Sequence, residues 1–350
     1  MIDEIRIQNF RCIKDLTIKD LKRINVIVGR NATGKTSLLE SIFVVEGGNP
    51  EIILRVKTWR IGRPILEIKS RPRAFEGLFK DLFFRMDTNK EILLSLFSSG
   101  VLKRSLRIYF REASETLTLP LEDIETKDVQ RAILAMEWVD SMGAKTETTA
   151  SISEKGLELK GRILAEKAVF LNSQSVANAS ENAKRFSELS KIGKEDKVVE
   201  AVKQEFPFIE RLSVEAHGEE WEIYAKIEKL QEKIPISLVS AGVNKFLGIL
   251  LAMSEYEGGL LFIDEIENGI YHNRLSSMLK VFHEFCSEQN VQLFVTTHSR
   301  EFIESMFSII EANPKDFSLL RTDLINGELK VDQFNGKELL SVIKQGVDIR

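Results

Sequence analysis

The sequence predicts an α/β fold, with a mixed-sheet core, an antiparallel β insertion and a helical lobe. Three observations carry that expectation. An apolar strand at residues 24–28 breaks into the glycine-framed loop G-R-N-A-T-G-K-T, residues 29–36, and then into a helix. A second apolar run, residues 260–263, ends in Asp264 and Glu265. A third, residues 291–296, is followed by Thr297, His298 and Ser299. Short apolar runs bounded by polar or turn residues read as buried strands, and open α/β sheets bind ligands beyond the carboxyl ends of their strands.

The first loop has the form G-x-x-x-x-G-K-[ST], which cradles phosphate groups. Gly29 lets the chain turn off the strand, and Gly34 lets the backbone approach the ligand so that successive N–H groups point at phosphate oxygens. The backbone of Arg30, Asn31, Ala32 and Thr33 lies between them, and Ser37 follows. Lys35 supplies a point charge to the β- and γ-phosphates, Thr36 a hydroxyl to Mg²⁺, and the helix its positive dipole end. ATP and Mg²⁺ are the ligands expected here. A coincidental glycine-rich turn is the bland alternative, and the placement between strand and helix argues against it.

The bulk properties set bounds. A chain of 350 residues exceeds an average domain of about 150, so two lobes or one elaborated domain are expected. Hydrophobic residues at 43% and charged residues at 29% describe an ordinary globular protein. No apolar run approaches the roughly 18 residues that span a bilayer, and the start M-I-D-E-I-R lacks a basic segment followed by an apolar core. The two cysteines, Cys12 and Cys286, have no metal-ligand spacing, so a reducing cytoplasm is expected. A net charge of −4 gives no global attraction to nucleic acid or anionic lipid. Any such contact requires a local patch.

In chain order, residues 2–7 read as a strand. In the segment that leads to the loop strand, Arg11 is either a solvated turn residue or an arginine near the nucleotide. Residues 37–45 form a helix that Gly47, Gly48 and Pro50 terminate. Arg55, Lys57, Arg60, Arg63, Lys69, Arg71 and Arg73 then cluster around Trp59 against one acid, Glu67. That cluster is a nucleic-acid footprint, a solvated face or a subunit contact. Strands at 91–97 and 103–110 make a hairpin, and another strand is expected at 116–119. A helix is expected at 122–142 from Val129, Ile133 and Met136, a polar loop at 142–151, and strands at 157–164 and 169–171. Together these describe an antiparallel insertion over about residues 50–165. Residues 178–234 turn helical, with a small strand pair at 212–214 and 221–227. No sustained heptad crosses the region, which excludes a long coiled coil.

Asp264 and Glu265 need a charge partner. Beside a Mg²⁺-nucleotide, Asp264 would hold the metal and Glu265 would orient and deprotonate the attacking water. A lone D-E pair would otherwise be a solvated acidic turn. His298, just past a strand end, is placed to donate to a γ-phosphate, although an isolated histidine is more often structural. Ser240, Ala241 and Gly242 open the buried run F-L-G-I-L-L-A-M, and small residues at a helix start make a second anion-binding end. One chain already has its phosphate loop, so this end is expected to complete the site of another subunit.

The order and spacing of these motifs resemble the ATP-binding-cassette superfamily, and within it the chromosome-maintenance, RecF-like and OLD-type AAA ATPase heads more than transporter subunits. The matching segments are the phosphate loop at 29–36, V-S-A-G-V at 239–243 as the signature, L-L-F-I-D-E at 260–265 as Walker B, E-N-G-I-Y-H at 267–272 as the D-loop, and T-T-H-S at 296–299 as the switch histidine. The opening I-R-I-Q-N-F-R is also typical of such heads. The resemblance implies Arg11 near the phosphates and Gln174 as the Q-loop glutamine that senses Mg²⁺ and the attacking water. It departs at Ala241, where glycine is frequent, and at Val239, where leucine is usual. OLD-type nucleases carry a Toprim domain after the histidine motif. No D-x-D follows His298, so that domain is expected to be absent.

The resemblance therefore implies a P-loop NTPase of the ABC-ATPase type. Its nucleotide-binding lobe spans residues 1–174 and 256–350, and a helical lobe spans 175–255. Two chains would sandwich two ATP molecules, pairing Lys35, Thr36, Asp264, Glu265 and His298 of one with Ser240 and Gly242 of the other. The leading functional expectation is an ATPase of DNA repair or foreign-DNA defence with a separately encoded effector such as a nuclease, possible DNA contact and no membrane. The alternatives are a slow-turnover, nucleotide-gated scaffold and, disfavoured by the inserted sheet, a transporter subunit.

Overall fold

The computed structural model describes residues 1–48, 51–61, 72–117, 129–153, 156–161, 168–172, 178–218 and 220–346. The chain opens with a hairpin, β1 (Glu4–Phe10) and β2 (Ile13–Ile18), then β3 (Ile24–Val28), α1 (Lys35–Gly47), α2 (Glu51–Ile61) and α3 (Pro72–Phe79). An antiparallel run follows: β4 (Ile92–Ser98), β5 (Val101–Leu117), β6 (Val129–Asp140), β7 (Lys145–Ser153) and β8 (Gly156–Gly161). After β9 (Ala168–Leu171) come α4 (Ala179–Lys191), α5 (Glu195–Glu205), β10 (Ile209–His217), β11 (Glu220–Ile227), β12 (Ile234–Pro235), α6 (Ile236–Val239) and α7 (Ala241–Glu255). The chain continues with β13 (Leu260–Ile263), α8 (Leu275–Glu288), β14 (Gln292–Thr297), α9 (Arg300–Ser305), α10 (Phe307–Ala312), β15 (Phe317–Ile325), β16 (Glu328–Asn335) and α11 (Gly336–Lys344). Among the described residues no helix is long and apolar enough to cross a membrane.

The strands form a six-stranded sheet, β16-β15-β3-β14-β13-β9, a seven-stranded sheet, β2-β1-β4-β5-β6-β7-β8, and a small sheet, β10-β11-β12. The six-stranded sheet is parallel except at β16, and the seven-stranded sheet is antiparallel throughout. The N-terminal hairpin is part of that second sheet, so the antiparallel layer is more than an insertion after the first helix. Gln292 at the start of β14 ties the layers together, accepting from the Ile2 N–H and donating to its carbonyl, both at 2.8 Å.

Helix α1 lies between the two large sheets, and every one of its residues except Thr36 is buried. Its sequence is apolar nearly all round, as a helix covered on two sides must be. Gly48 ends it in the left-handed conformation, φ 59°. Each central strand alternates between two cores, as a period of two requires. Val26, Leu261, Val295 and Leu171 face α7, α8 and α9 on one side, while Phe262, Phe294 and Phe170 face α1 on the other. Phe262 is in register with both other rings and stacks on them at centroid distances of 5.3 and 6.2 Å. Phe43 of α1 rests on the ladder, 5.3 Å from Phe170. This packing fixes the helix that carries the phosphate loop.

Two sequence expectations fail in the antiparallel sheet. The helix expected at 122–142 is, over its described part, strand β6, and most of the loop expected at 142–151 is strand β7. Leu134, Met136 and Trp138 point inward with a period of two, and the spacing of Val129, Ile133 and Met136 mimics a helical face. The strand expected from Thr116 is the continuation of β5 to Leu117. The small strand pair inside the helical region is present as β10 and β11.

Candidate active site

The loop after β3 turns through left-handed backbone, which its two glycines take up without steric cost. Gly29 has φ 149°, Ala32 62° and Gly34 92°. A side chain at Gly29 would collide with the hydroxyls of Thr33 and Thr322, and one at Gly34 would lie 2.8 Å from the Cys12 sulfur and 2.9 Å from Leu329 Cδ1. β15 backs the loop: the Thr33 and Thr322 hydroxyls are 2.8 Å apart, and Thr322 donates to the Val28 carbonyl at 3.0 Å. Arg30, Asn31 and Ala32 are exposed, whereas Thr33, Lys35 and Ser37 are buried. The Lys35 ammonium donates to the Gly29 and Arg30 carbonyls, both at 2.8 Å. Burial lowers the Lys35 pKa, opposed by the carboxylates of Asp264, Glu265 and Glu267.

The second wall comes from β13 and β14. Ile263 is paired with Val295, which brings Asp264 beside Thr296. The Thr296 hydroxyl donates to Asp264 Oδ1 at 2.5 Å and accepts from the Glu265 N–H at 2.8 Å. From the opposite side Thr36 donates to the Asp264 carboxylate at 3.2 Å. Thr36 and Asp264, 228 positions apart in the chain, thus meet at one point. Glu265 sits at φ 52°, an uncommon conformation for a residue with a side chain, and its Oε2 accepts from Asn268 at 2.6 Å.

Two residues beyond the expected set complete this wall. Lys245 on α7 donates to the Glu265 carbonyl at 2.9 Å and the Asn268 carbonyl at 2.8 Å. Burial brings its pKa down to about 8 against the pull of Glu267, Glu265 and Asp264. Glu267 Oε1 accepts from the His298 backbone N–H at 3.0 Å and lies 3.1 Å from His298 Nδ1. At the start of α7, Ser240 caps the helix by accepting from the Val243 N–H at 3.1 Å. Ser240 and Ala241 are exposed, and a Cβ on Gly242 would stand 3.0 Å from the Gly269 carbonyl oxygen.

The structure thus gathers Gly29, Gly34, Lys35, Thr36, Asp264 and Glu265, with His298 on the adjoining strand end. Gln174 lies outside the described residues. The reading of Arg11 as a solvated turn residue is overturned: its side chain is buried, 2.8 Å from Glu40 on α1 and 3.2 Å from Asp81. A guanidinium under the sheet is held by carboxylates instead of water. Asp81 also pairs with Lys57, so one member of the basic cluster is buried in a network; Arg55 pairs with Glu51 at 3.8 Å. Arg63, Lys69 and Arg71, and the side chains of Trp59, Arg60 and Arg73, lie outside the described residues. Thr296 was legible as a hydroxyl closing an apolar strand, whereas Lys245 stood in the sequence only as a lone cation heading an apolar helix.

The donor set fits a hard cation shared with phosphate. Asp264 is flanked by hydroxyls, and among the described residues no group of three or more His, Cys, Asp or Glu side chains is poised to hold a metal alone. That suits Mg²⁺, which takes one or two carboxylates and completes its shell with water and phosphate oxygens.

Residues 24–304 match the family model described as "AAA domain, putative AbiEii toxin, Type IV TA system". An ATP/GTP phosphatase of Helicobacter pylori is 25% identical over 348 residues, covering 91% of this chain and 90% of that one. The DNA double-strand break repair Rad50 ATPase of Pyrococcus abyssi is 27% identical over 186 residues, 53% of this chain and 19% of that protein. RecF of Acetivibrio thermocellus is 49% identical over 47 residues, 13% of each chain. Among solved structures, the Smc head bound to the C-terminal winged-helix domain of ScpA covers 98% of this chain and 99% of its own, with a TM-score of 0.56 at 16% identity, a likeness of fold. The chain belongs to this AAA-domain family, as an ATPase with the fold of the Smc head.

Proposed function

We propose that this chain is the ATP-hydrolysing head of a homodimer that closes around two nucleotides and passes that cycle to a separately encoded effector, in DNA repair or in defence against foreign DNA. The observation that carries the reading is the meeting of Thr36, Asp264 and Thr296, with Lys35 and Glu265 on the same sheet edge.

In this reading the loop N–H groups and Lys35 bind the β- and γ-phosphates, which draw the ammonium off its loop carbonyls. Thr36 and Asp264 would hold Mg²⁺, which when bound neutralises phosphate charge. Glu265, aimed by its left-handed backbone and by Asn268, orients the attacking water and accepts its proton. His298 donates to the γ-phosphate. Arg11 acts through Glu40, one helical turn beyond Thr36, by bracing α1, and Gln174 is assigned to sensing Mg²⁺ and water. The lobes divide at about residues 174 and 256.

Ser240 and Gly242 complete the other chain's site. The exposure of Ser240 and Ala241 at the start of α7, a ready anion-binding end, supports this. The repair side draws on the names of the RecF and Rad50 relatives, and the defence side on the toxin–antitoxin description of the family.

Slowing the chemistry tests the reading. Glu265→Gln should accumulate an ATP-bound dimer in light scattering, and a variant that stays monomeric with ATP refutes the sandwich. Steady-state ATPase with and without double-stranded DNA then separates uses. Stimulation supports action on DNA, and a negligible rate in both supports a nucleotide-gated scaffold.

A further inference from the structure

Glu267 contributes one carboxylate oxygen to two groups of a single residue, the His298 backbone N–H at 3.0 Å and its ring Nδ1 at 3.1 Å. The carboxylate side chain is 11% exposed and the ring 46% exposed. One edge of the imidazole is therefore anchored in the protein while much of the ring reaches solvent. The anchor is stiff, because the Ile266 N–H donates to the Thr296 carbonyl at 3.1 Å and joins the two segments just before Glu267 and His298.

A carboxylate beside Nδ1 has a definite chemical effect. It accepts only, so it favours a proton on Nδ1, and a neutral ring in that tautomer presents a lone pair at Nε2. Such a ring cannot donate to a phosphate oxygen from Nε2. It can do so only after taking a proton from solvent, as an imidazolium between the carboxylate and the phosphate.

We propose that Glu267 is a positioning residue that fixes the tautomer and orientation of His298, so that the ring meets a nucleotide phosphate only in its protonated form. The inference rests on the proposed role of His298 toward the γ-phosphate. Around the pair stand Asp264 and Glu265 on the same segment as Glu267, Lys35 from α1 and Lys245 from α7, and Arg300 and Glu301 on α9. Both lysines sense the charge of Glu267. Arg300 is engaged by Glu304 and Glu301 by the Ser299 hydroxyl.

The test is ¹⁵N NMR of the histidine-labelled, nucleotide-free chain, with His298→Asn assigning its signals among the four histidines. The native ring should show the Nδ1–H signature. Glu267→Ala should revert to the Nε2–H form that free imidazole favours, while Glu267→Gln, which keeps an acceptor, should retain Nδ1–H. In ATPase assays, Glu267→Ala should lower kcat by roughly tenfold to a hundredfold with KM little changed, and Glu267→Gln should fall between. A native Nε2–H tautomer, or an Ala variant with unchanged tautomer and kcat, overturns the proposal. A native chain that shows the Nδ1–H signature but no ATP turnover would instead overturn the proposed function, since the tautomer is read without nucleotide.

Discussion

Replacing Lys245 by methionine separates two large and opposed contributions to stability. Lys245 is 6% exposed, and its amine donates to the Glu265 and Asn268 carbonyls. Its pKa falls from 10.5 to about 8 through burial, so holding it charged at neutral pH costs about 3 kcal/mol of folding free energy. Methionine removes that cost but leaves two carbonyls without their donor, at about 1–3 kcal/mol each. At pH 7 the terms largely cancel, and the variant should lie within about 3 kcal/mol of the native chain. The sign of the pH dependence is fixed by the depressed pKa. Between pH 8 and 10.5 the unfolded chain holds the proton that the folded chain has released, so native stability rises with pH through this window. The neutral amine still donates both hydrogen bonds, and the methionine variant has nothing to titrate there. Urea unfolding of nucleotide-free protein from pH 7 to 10.5 should show the native advantage growing by about 3 kcal/mol. A difference that stays flat across the window would refute the assignment of a buried, charged Lys245.

Two other substitutions probe the loop and its support. Lys35→Ala should abolish nucleotide binding in a fluorescent-nucleotide titration without lowering Tm, because it also removes a buried charge; binding at native affinity would remove Lys35 from the site. Arg11→Met should lose about 3–5 kcal/mol in chemical unfolding, since Glu40, almost fully buried, loses the guanidinium 2.8 Å from its carboxylate. Adding Glu40→Gln should recover much of that loss, and no recovery would place the effect outside the ion network.

The site was legible in the sequence where backbone geometry dictates residue type. Gly29 and Gly34 sit where any side chain would strike Thr33 or Cys12, and Asp264 follows a strand whose four residues are all buried. The Phe262 ladder was foreshadowed by phenylalanines inside short apolar runs. What escaped was set by partners far along the chain. Arg11 looks solvated because its carboxylates, Glu40 and Asp81, lie 29 and 70 positions away. Strand β6 reads as a helix because its inward residues, Leu134, Met136 and Trp138, share the run with apolar residues on the other face, so either period fits until the sheet is formed. Lys245 went unread because a lone cation at the head of an apolar helix gains meaning only when the carbonyls of Glu265 and Asn268 arrive beneath it.

Those carbonyls give the segment after β13 its role. Asp264, Glu265 and Glu267 place three carboxylates within reach of two buried ammonium groups, Lys35 and Lys245, each of which feels all three. The three carboxylates against two ammonium groups leave one negative charge in excess, a balance that suits a divalent cation. The mechanical consequence follows from the contacts of α7. A methyl group on Gly242 would press on the Gly269 carbonyl at 3.0 Å, and Lys245 grips the same segment one turn further on. The start of α7 and the segment bearing Glu265 are therefore tied at two points, by Gly242 against Gly269 and by Lys245 on the Glu265 and Asn268 carbonyls.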